Sequence, residues 1–143
     1  MNGKWDQRFL DLAELVSQWS KDPRTKVGAV IVRPDKTVTS LGFNGFPRGV
    51  EDTDSRYGDR DVKHRLIVHA EANAILHARE PVYGHTLYVT PLHPCSSCTG
   101  LIVQSGVSRV VYRQLEDNSV WTESFRFAAR SLREAGVEVS RIG

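Results

Sequence analysis

Apolar residues recur along this chain with two periods, one helical and one strand-like, and the two alternate. Over residues 4–20, Trp5, Phe9, Leu12, Ala13, Val16 and Trp19 fall at helical spacing, which predicts an amphipathic helix that Asp22-Pro23 stops. Val27 to Val32 is a short apolar run, the pattern of a buried strand. Pro34-Asp35-Lys36 makes a turn, Thr37 to Phe43 returns as a second strand, and Asn44-Gly45 with Pro47-Arg48-Gly49 ends it in a shaped loop. Residues 50–65 are polar and carry both signs of charge. A loop of that length is either a solvated excursion or a functional segment, here a lid or a subunit contact. A second helix spans 68–79, with Ala70, Ala74, Ile75 and Ala78 available for packing, and Pro81 ends it. Thr86 to Val89 reads as a strand, Cys98 to Gln104 as a helix closed by Ser105-Gly106, and Arg109 to Tyr112 as a strand. The last helix, 121–135, has Trp121, Phe125, Ala128, Ala129, Leu132 and Ala135 on one face, and Val137 to Val139 follows Gly136 as a short strand. The order α-β-β-α-β-α-β-α-β predicts an α/β fold, a mixed five-stranded sheet with helices on both faces.

Composition narrows the class without naming a function. A length of 143 residues predicts one domain, 1–143, large enough to bury a core without disulfides. The net charge of +2 is too small for a broad nucleic-acid surface, so no nucleic-acid partner is expected. No apolar run approaches the roughly 18 residues of a membrane span, and the N-terminal residues lack an apolar signal region. Both cysteines fall in one C-x-x-C, which excludes a disulfide framework and fits a reducing cytoplasm.

The candidate chemistry lies between His69-Ala70-Glu71 and Pro94-Cys95-Ser96-Ser97-Cys98. Catalytic zinc takes three protein ligands and leaves its fourth position to water. His69, Cys95 and Cys98 supply three. Glu71 lies two residues beyond His69, close enough to exchange a proton with the water without being a ligand. Such an arrangement suits hydrolytic attack on a ring carbon that bears an amine. The alternative is a closed structural zinc that takes a fourth ligand from His64, His77, His85 or His93. The free glutamate argues against it.

H-x-E followed by P-C-x-x-C is the signature of zinc deaminases, and this stretch resembles the cytidine deaminase superfamily. The wider chain resembles its deoxycytidylate (dCMP) deaminase branch. That resemblance rests on Ser20-Lys21-Asp22-Pro23 leading into Val27-Gly28-Ala29-Val30, and on Gly42-Phe43-Asn44-Gly45-Phe46-Pro47-Arg48-Gly49. It rests also on His69-Ala70-Glu71-Ala72-Asn73-Ala74, and on Pro94 to Cys98 followed by Gln104-Ser105-Gly106-Val107. It covers about residues 5–140.

The resemblance implies a three-layer α-β-α cytidine-deaminase-like fold, Zn2+ as cofactor, and deamination of dCMP to dUMP and ammonia, which feeds thymidylate (dTTP) synthesis. Glu71 is then the catalytic acid–base, and His69, Cys95 and Cys98 hold the metal. Asn44 is expected to bond the deoxyribose 3′-hydroxyl, and the backbone near Ala70 to meet the pyrimidine edge. The 5′-phosphate is expected on Arg24, with Ser20 and Lys26 beside it and Arg48 as the competing candidate. Phe43 stands where many relatives carry Tyr. The family further implies a homo-oligomer, commonly a hexamer, and dCTP and dTTP as effectors.

Three rivals share parts of this pattern. A free-nucleoside cytidine deaminase needs no phosphate ligand. A tRNA adenosine deaminase should carry a stronger basic surface. A zinc-stabilised binding module has no use for Glu71. Trp121 and Phe125 read as core residues of the last helix, with Trp121 alternatively a wall of the base pocket, and His93 stands near the entrance.

Overall fold

The computed structural model describes residues 3–114 and 122–143. Its elements, in chain order, are α1 (Gly3–Ser17), β1 (Gly28–Val32), β2 (Val38–Phe43), α2 (Asp54–Gly58), α3 (Arg60–Leu66), α4 (Ala70–His77), β3 (Thr86–Thr90), α5 (Ser96–Ser105), β4 (Arg109–Tyr112), α6 (Thr122–Glu134) and β5 (Glu138–Arg141). The strands form one mixed sheet in the order β2-β1-β3-β4-β5. β1 is antiparallel to both β2 and β3, whereas β3, β4 and β5 run parallel.

Alternation along the strands divides the core in two. Val30 and Val32 face α1 with Tyr88 and Val111, where they meet Phe9, Leu10 and Ala13. Ala29, Ile31, Leu87, Val89 and Val110 face the opposite way, onto Ala70 and Ala74 of α4, Ile102 of α5 and Leu132 of α6. The sheet is therefore the middle of three layers, as the element order predicts. Two glycines set the spacing between layers. A Cβ on Gly28 would lie 1.9 Å from the Ala13 carbonyl oxygen, and one on Gly42 would lie 2.4 Å from the Ala70 carbonyl oxygen. Only glycine lets β1 and β2 approach α1 and α4 this closely. Gly42 thereby seats the helix that carries Glu71.

α1 is also tied to the sheet by charge. Asp6 is buried; Arg109 donates to both its oxygens at 3.0 and 2.8 Å, and the Tyr88 hydroxyl donates at 2.7 Å. Burial pushes the Asp6 carboxyl up, but these bonds outweigh it and hold the group below the usual carboxylate range.

Two expectations need correction. The helix expected over 4–20 ends at Ser17, because the amides of Gln18, Trp19 and Ser20 turn to carbonyls three residues back. That tighter turn rotates Trp19 outward to 53% exposure, where it meets the Phe43 ring edge-on. The expected loop 50–65 contains α2 and α3. Thr53 caps α2 by accepting from the Arg56 amide, and Asp59 caps α3 by accepting from the Asp61 and Val62 amides. Trp121, expected in the last helix, lies outside the described residues. Among the described residues, no helix is long and apolar enough to cross a membrane.

Candidate active site

His69 and Cys95 occupy the N-cap positions of α4 and α5, in extended backbone, and neither side chain caps its helix. Both side chains are therefore free to face a metal. Cys98 lies in the first turn of α5, so the C-x-x-C spacing turns both sulfurs to one side. The ligand atoms of His69, Cys95 and Cys98 lie within 4.8 Å of one another. His69 Nδ1 is 3.1 Å from Cys98 Sγ and 3.4 Å from Cys95 Sγ. One imidazole and two sulfurs converging in this way fit zinc with an open fourth position. Among the described residues, none of His64, His77, His85 or His93 joins the group.

The electrostatics of the group suit a dication. The bond from the Cys98 thiol, helped by His69 and Ser97, holds Cys95 down at about 3 despite burial. The same bond and burial push Cys98 up. A metal ion takes both sulfurs as thiolates, so its binding releases the thiol protons. Glu71, in the first turn of α4, is 5% exposed and lines the same cavity. Burial pushes its carboxyl up to about 6, against the pull of His69. A group titrating there both takes and gives protons near neutrality.

The cavity measures about 150 Å³ and has two ends. His69, Glu71 and Cys95 line the metal end, and Ala70 adds the first turn of α4, whose early amides lack intrahelical partners. Asp22, Thr25, Asn44, Lys63 and His64 line the polar end, and Val27, Ile67, Leu92 and Phe125 give apolar surface to the wall. Asn44 is 6% exposed. Its Nδ2 donates to the Thr25 carbonyl at 2.9 Å and to Asp22 Oδ2 at 3.3 Å, while its Oδ1 accepts from the Val27 amide at 2.9 Å. Both amide protons are spent on the loop, so a sugar hydroxyl has only the second lone pair of Oδ1 to donate to.

Ser20, Arg24 and Lys26 do not line this cavity. Ser20 is buried, donating to the Asn44 carbonyl at 2.8 Å and accepting from the Asp22 amide at 3.2 Å. Lys26 Nζ donates to the Ser20 carbonyl at 2.6 Å. Arg24 and Lys26 line a separate cavity of about 210 Å³ with Glu14 and Gln18. The cause is local: Asp22 Oδ1 accepts the Arg24 and Thr25 amides at 2.9 and 3.3 Å, and this turn carries the Arg24 side chain away. Arg48 lies on the outer surface, 3.1 Å from His77.

Sequence reasoning missed Asp22 as a lining residue, where it read only a helix stop, and it missed Lys63. These two form an ion pair across 41 positions, at 2.9 Å to Oδ1 and 2.8 Å to Oδ2. Neither periodicity nor spacing signals such a pair. Phe125 lines the cavity and packs on His93, with ring centroids 5.6 Å apart, rather than being core alone.

Comparison with known proteins places this geometry. The family model described as the cytidine and deoxycytidylate deaminase zinc-binding region matches residues 3–114. An uncharacterised deaminase from the luxG 3′ region of Aliivibrio fischeri is 44% identical over 142 residues, covering 98% of this chain and 95% of the relative. The deoxycytidylate deaminase of Mus musculus is 32% identical over 150 residues, covering 97% and 84%. The crystal structure of dCMP deaminase from the cyanophage S-TIM5, in complex with dCMP and dUMP, superposes with a TM-score of 0.79 at 28% identity, covering 99% of each chain. On these matches, and with His69, Glu71 and Cys95 of the signature lining one cavity, the chain belongs to the cytidine and deoxycytidylate deaminase family of zinc-binding proteins.

Proposed function

We propose that this protein deaminates dCMP hydrolytically to dUMP and ammonia, a step that feeds thymidylate synthesis. The observation that carries the reading is the meeting of a three-ligand His/Cys/Cys group and a buried glutamate in one cavity. The mouse relative's name and the dCMP and dUMP in the cyanophage complex support the choice of substrate.

His69, Cys95 and Cys98 would hold the zinc, which would supply the Lewis acidity that makes water a nucleophile near neutral pH. Glu71 takes a proton from the attacking water as the water oxygen bonds to C4 of the cytosine. The carboxyl delivers the proton to N3. It then relays the water's second proton to the exocyclic amine, the C4–N bond breaks, ammonia leaves and C4 keeps the oxygen as a carbonyl. Ala70 and Asn44 line the same cavity, and in this reading the Ala70 amide meets the pyrimidine edge and Asn44 Oδ1 accepts from a sugar hydroxyl. Val27, Ile67, Leu92 and Phe125 offer the base an apolar surround.

The same reading extends to a cytoplasmic homo-oligomer, commonly a hexamer in the family, with dCTP and dTTP as effectors. Leu76, Tyr83 and Leu101, 71%, 76% and 50% exposed, are available for subunit contacts. Both cysteines are free, as a reducing compartment keeps them.

Ammonia release from dCMP, dCTP, deoxycytidine, CMP and tRNA tests the proposal. The expected order places dCMP first. A preference for deoxycytidine would make the protein a nucleoside deaminase. A preference for tRNA would make it an adenosine deaminase, and no release from any of them would leave a binding module.

A further inference from the structure

Among the described residues, two buried side-chain polar atoms have no hydrogen-bond partner, Thr39 Oγ1 and His93 Nε2. Of these two residues only His93 lines the active-site cavity. We propose that His93 Nε2 accepts a hydrogen bond from the C4 amine of the substrate base and so favours the amine-bearing substrate over the carbonyl-bearing product, an inference that rests on the dCMP reading above.

The His93 ring is held in place, and its two nitrogens have different roles. The residue is 6% exposed. The Tyr112 ring meets it edge-on with centroids 4.8 Å apart, and the Phe125 ring lies at 5.6 Å. Nδ1 is 2.6 Å from the Pro94 carbonyl oxygen, which can only accept, so Nδ1 carries the proton and donates it there. Burial against two aromatic rings favours the neutral imidazole, which leaves Nε2 with a lone pair and no proton. A buried acceptor that lacks a donor costs stability. Such an atom in a folded protein calls for a ligand or a water to complete it.

The substrate base supplies the missing donor. His93 stands two residues before Cys95 in the chain and lines the cavity together with His69, Glu71 and Cys95. The reaction brings C4 of the cytosine to this end, and the amine on C4 comes with it. That amine has two N–H groups and needs an acceptor that is not itself exchanging protons. Glu71 is occupied with the water and N3, whereas the His93 lone pair is free throughout. In dUMP the same position carries a carbonyl oxygen, which is an acceptor, so two lone pairs then oppose each other. The contact therefore holds the substrate and loosens the product, and the ring takes up no proton in either state.

The test is the Ki of dUMP as a competitive inhibitor divided by the KM of dCMP, measured on zinc-replete protein. His93→Asn keeps a donor near the Nδ1 position for the Pro94 carbonyl and removes the acceptor beyond it. It should lower the ratio roughly 3- to 10-fold, the scale of one neutral hydrogen bond, by raising the KM of dCMP while the Ki of dUMP holds or falls. His93→Gln keeps an acceptor near the Nε2 position and should retain most of the wild-type ratio. A second measurement leaves His93 unchanged. In zinc-replete Glu71→Gln protein, whose slow turnover lets dCMP persist, nitrogen NMR of isotope-labelled histidine should show the His93 Nε2 resonance moving more with dCMP than with dUMP. Equal weakening of dCMP and dUMP in His93→Asn, an unchanged ratio, or an Nε2 resonance that answers both nucleotides equally would overturn the inference and leave His93 as a brace for the Pro94 carbonyl. So would a ratio that His93→Gln lowers and His93→Asn preserves. A wild-type protein that does not turn over dCMP would overturn the dCMP reading itself, a result visible before any variant is made.

Discussion

Glu71→Gln is expected to keep one zinc per chain and the native fold, and to lose on the order of 10²–10⁴ in turnover of dCMP. The change is nearly isosteric, so the first turn of α4 and its contact with Gly42 are preserved. What disappears is a group that accepts and returns a proton. The proposed mechanism asks this of one carboxyl more than once per turnover, which places the loss toward the upper end of the range. Stability should not fall with activity. Glu71 is 5% exposed, and burial already disfavours its ionised form; a neutral amide there is easier to bury than a carboxylate. Activity measured beside zinc content and Tm separates the two effects. Near-normal turnover in the zinc-replete variant would sink the proton-shuttle role.

Cys98→Ala is expected to abolish stoichiometric zinc and reduce dCMP turnover to background. Among the described residues the metal group has three protein ligands with no fourth in reserve, so the loss of one leaves an imidazole and a single thiolate. Cys98 is 2% exposed and packs into the α4–α5 side of the core. The variant therefore also loses a small apolar contact and should melt lower. The other members of the two apolar clusters, one on each face of the sheet, are unchanged, so far-UV circular dichroism should stay close to that of the parent. Retention of full zinc, read by metal analysis after dialysis, would mean another residue completes the site.

The chemistry was legible before the geometry because its residues sit in short, rigid patterns. His69 and Glu71 share one helix start, and Cys95 and Cys98 share another, so sequence spacing translates directly into space. The order of strands and large helices was legible too, since each buries an apolar face whose period survives in the sequence. The polar end of the cavity was not. α2 and α3 bury only Tyr57 between them, so no apolar period announces either helix. Their starts depend on the Thr53 and Asp59 caps, single residues in a polar stretch. For Ser20, Arg24 and Lys26 the resemblance implied a phosphate site, while the sequence itself shows proximity of charge and not direction. The Asp22 turn that sends Arg24 elsewhere, and the pair that brings Lys63 in, are tertiary facts.

The central claim is that water replaces the amine of dCMP in a reaction that requires the zinc group. The most direct measurement is mass spectrometry of the product formed from dCMP by zinc-replete protein in water enriched in heavy oxygen. The account predicts dUMP carrying one solvent oxygen at C4, one ammonia released per dUMP, and loss of both on chelation with recovery on added zinc. Zinc-replete protein that forms no dUMP, or forms it without solvent oxygen, would contradict it.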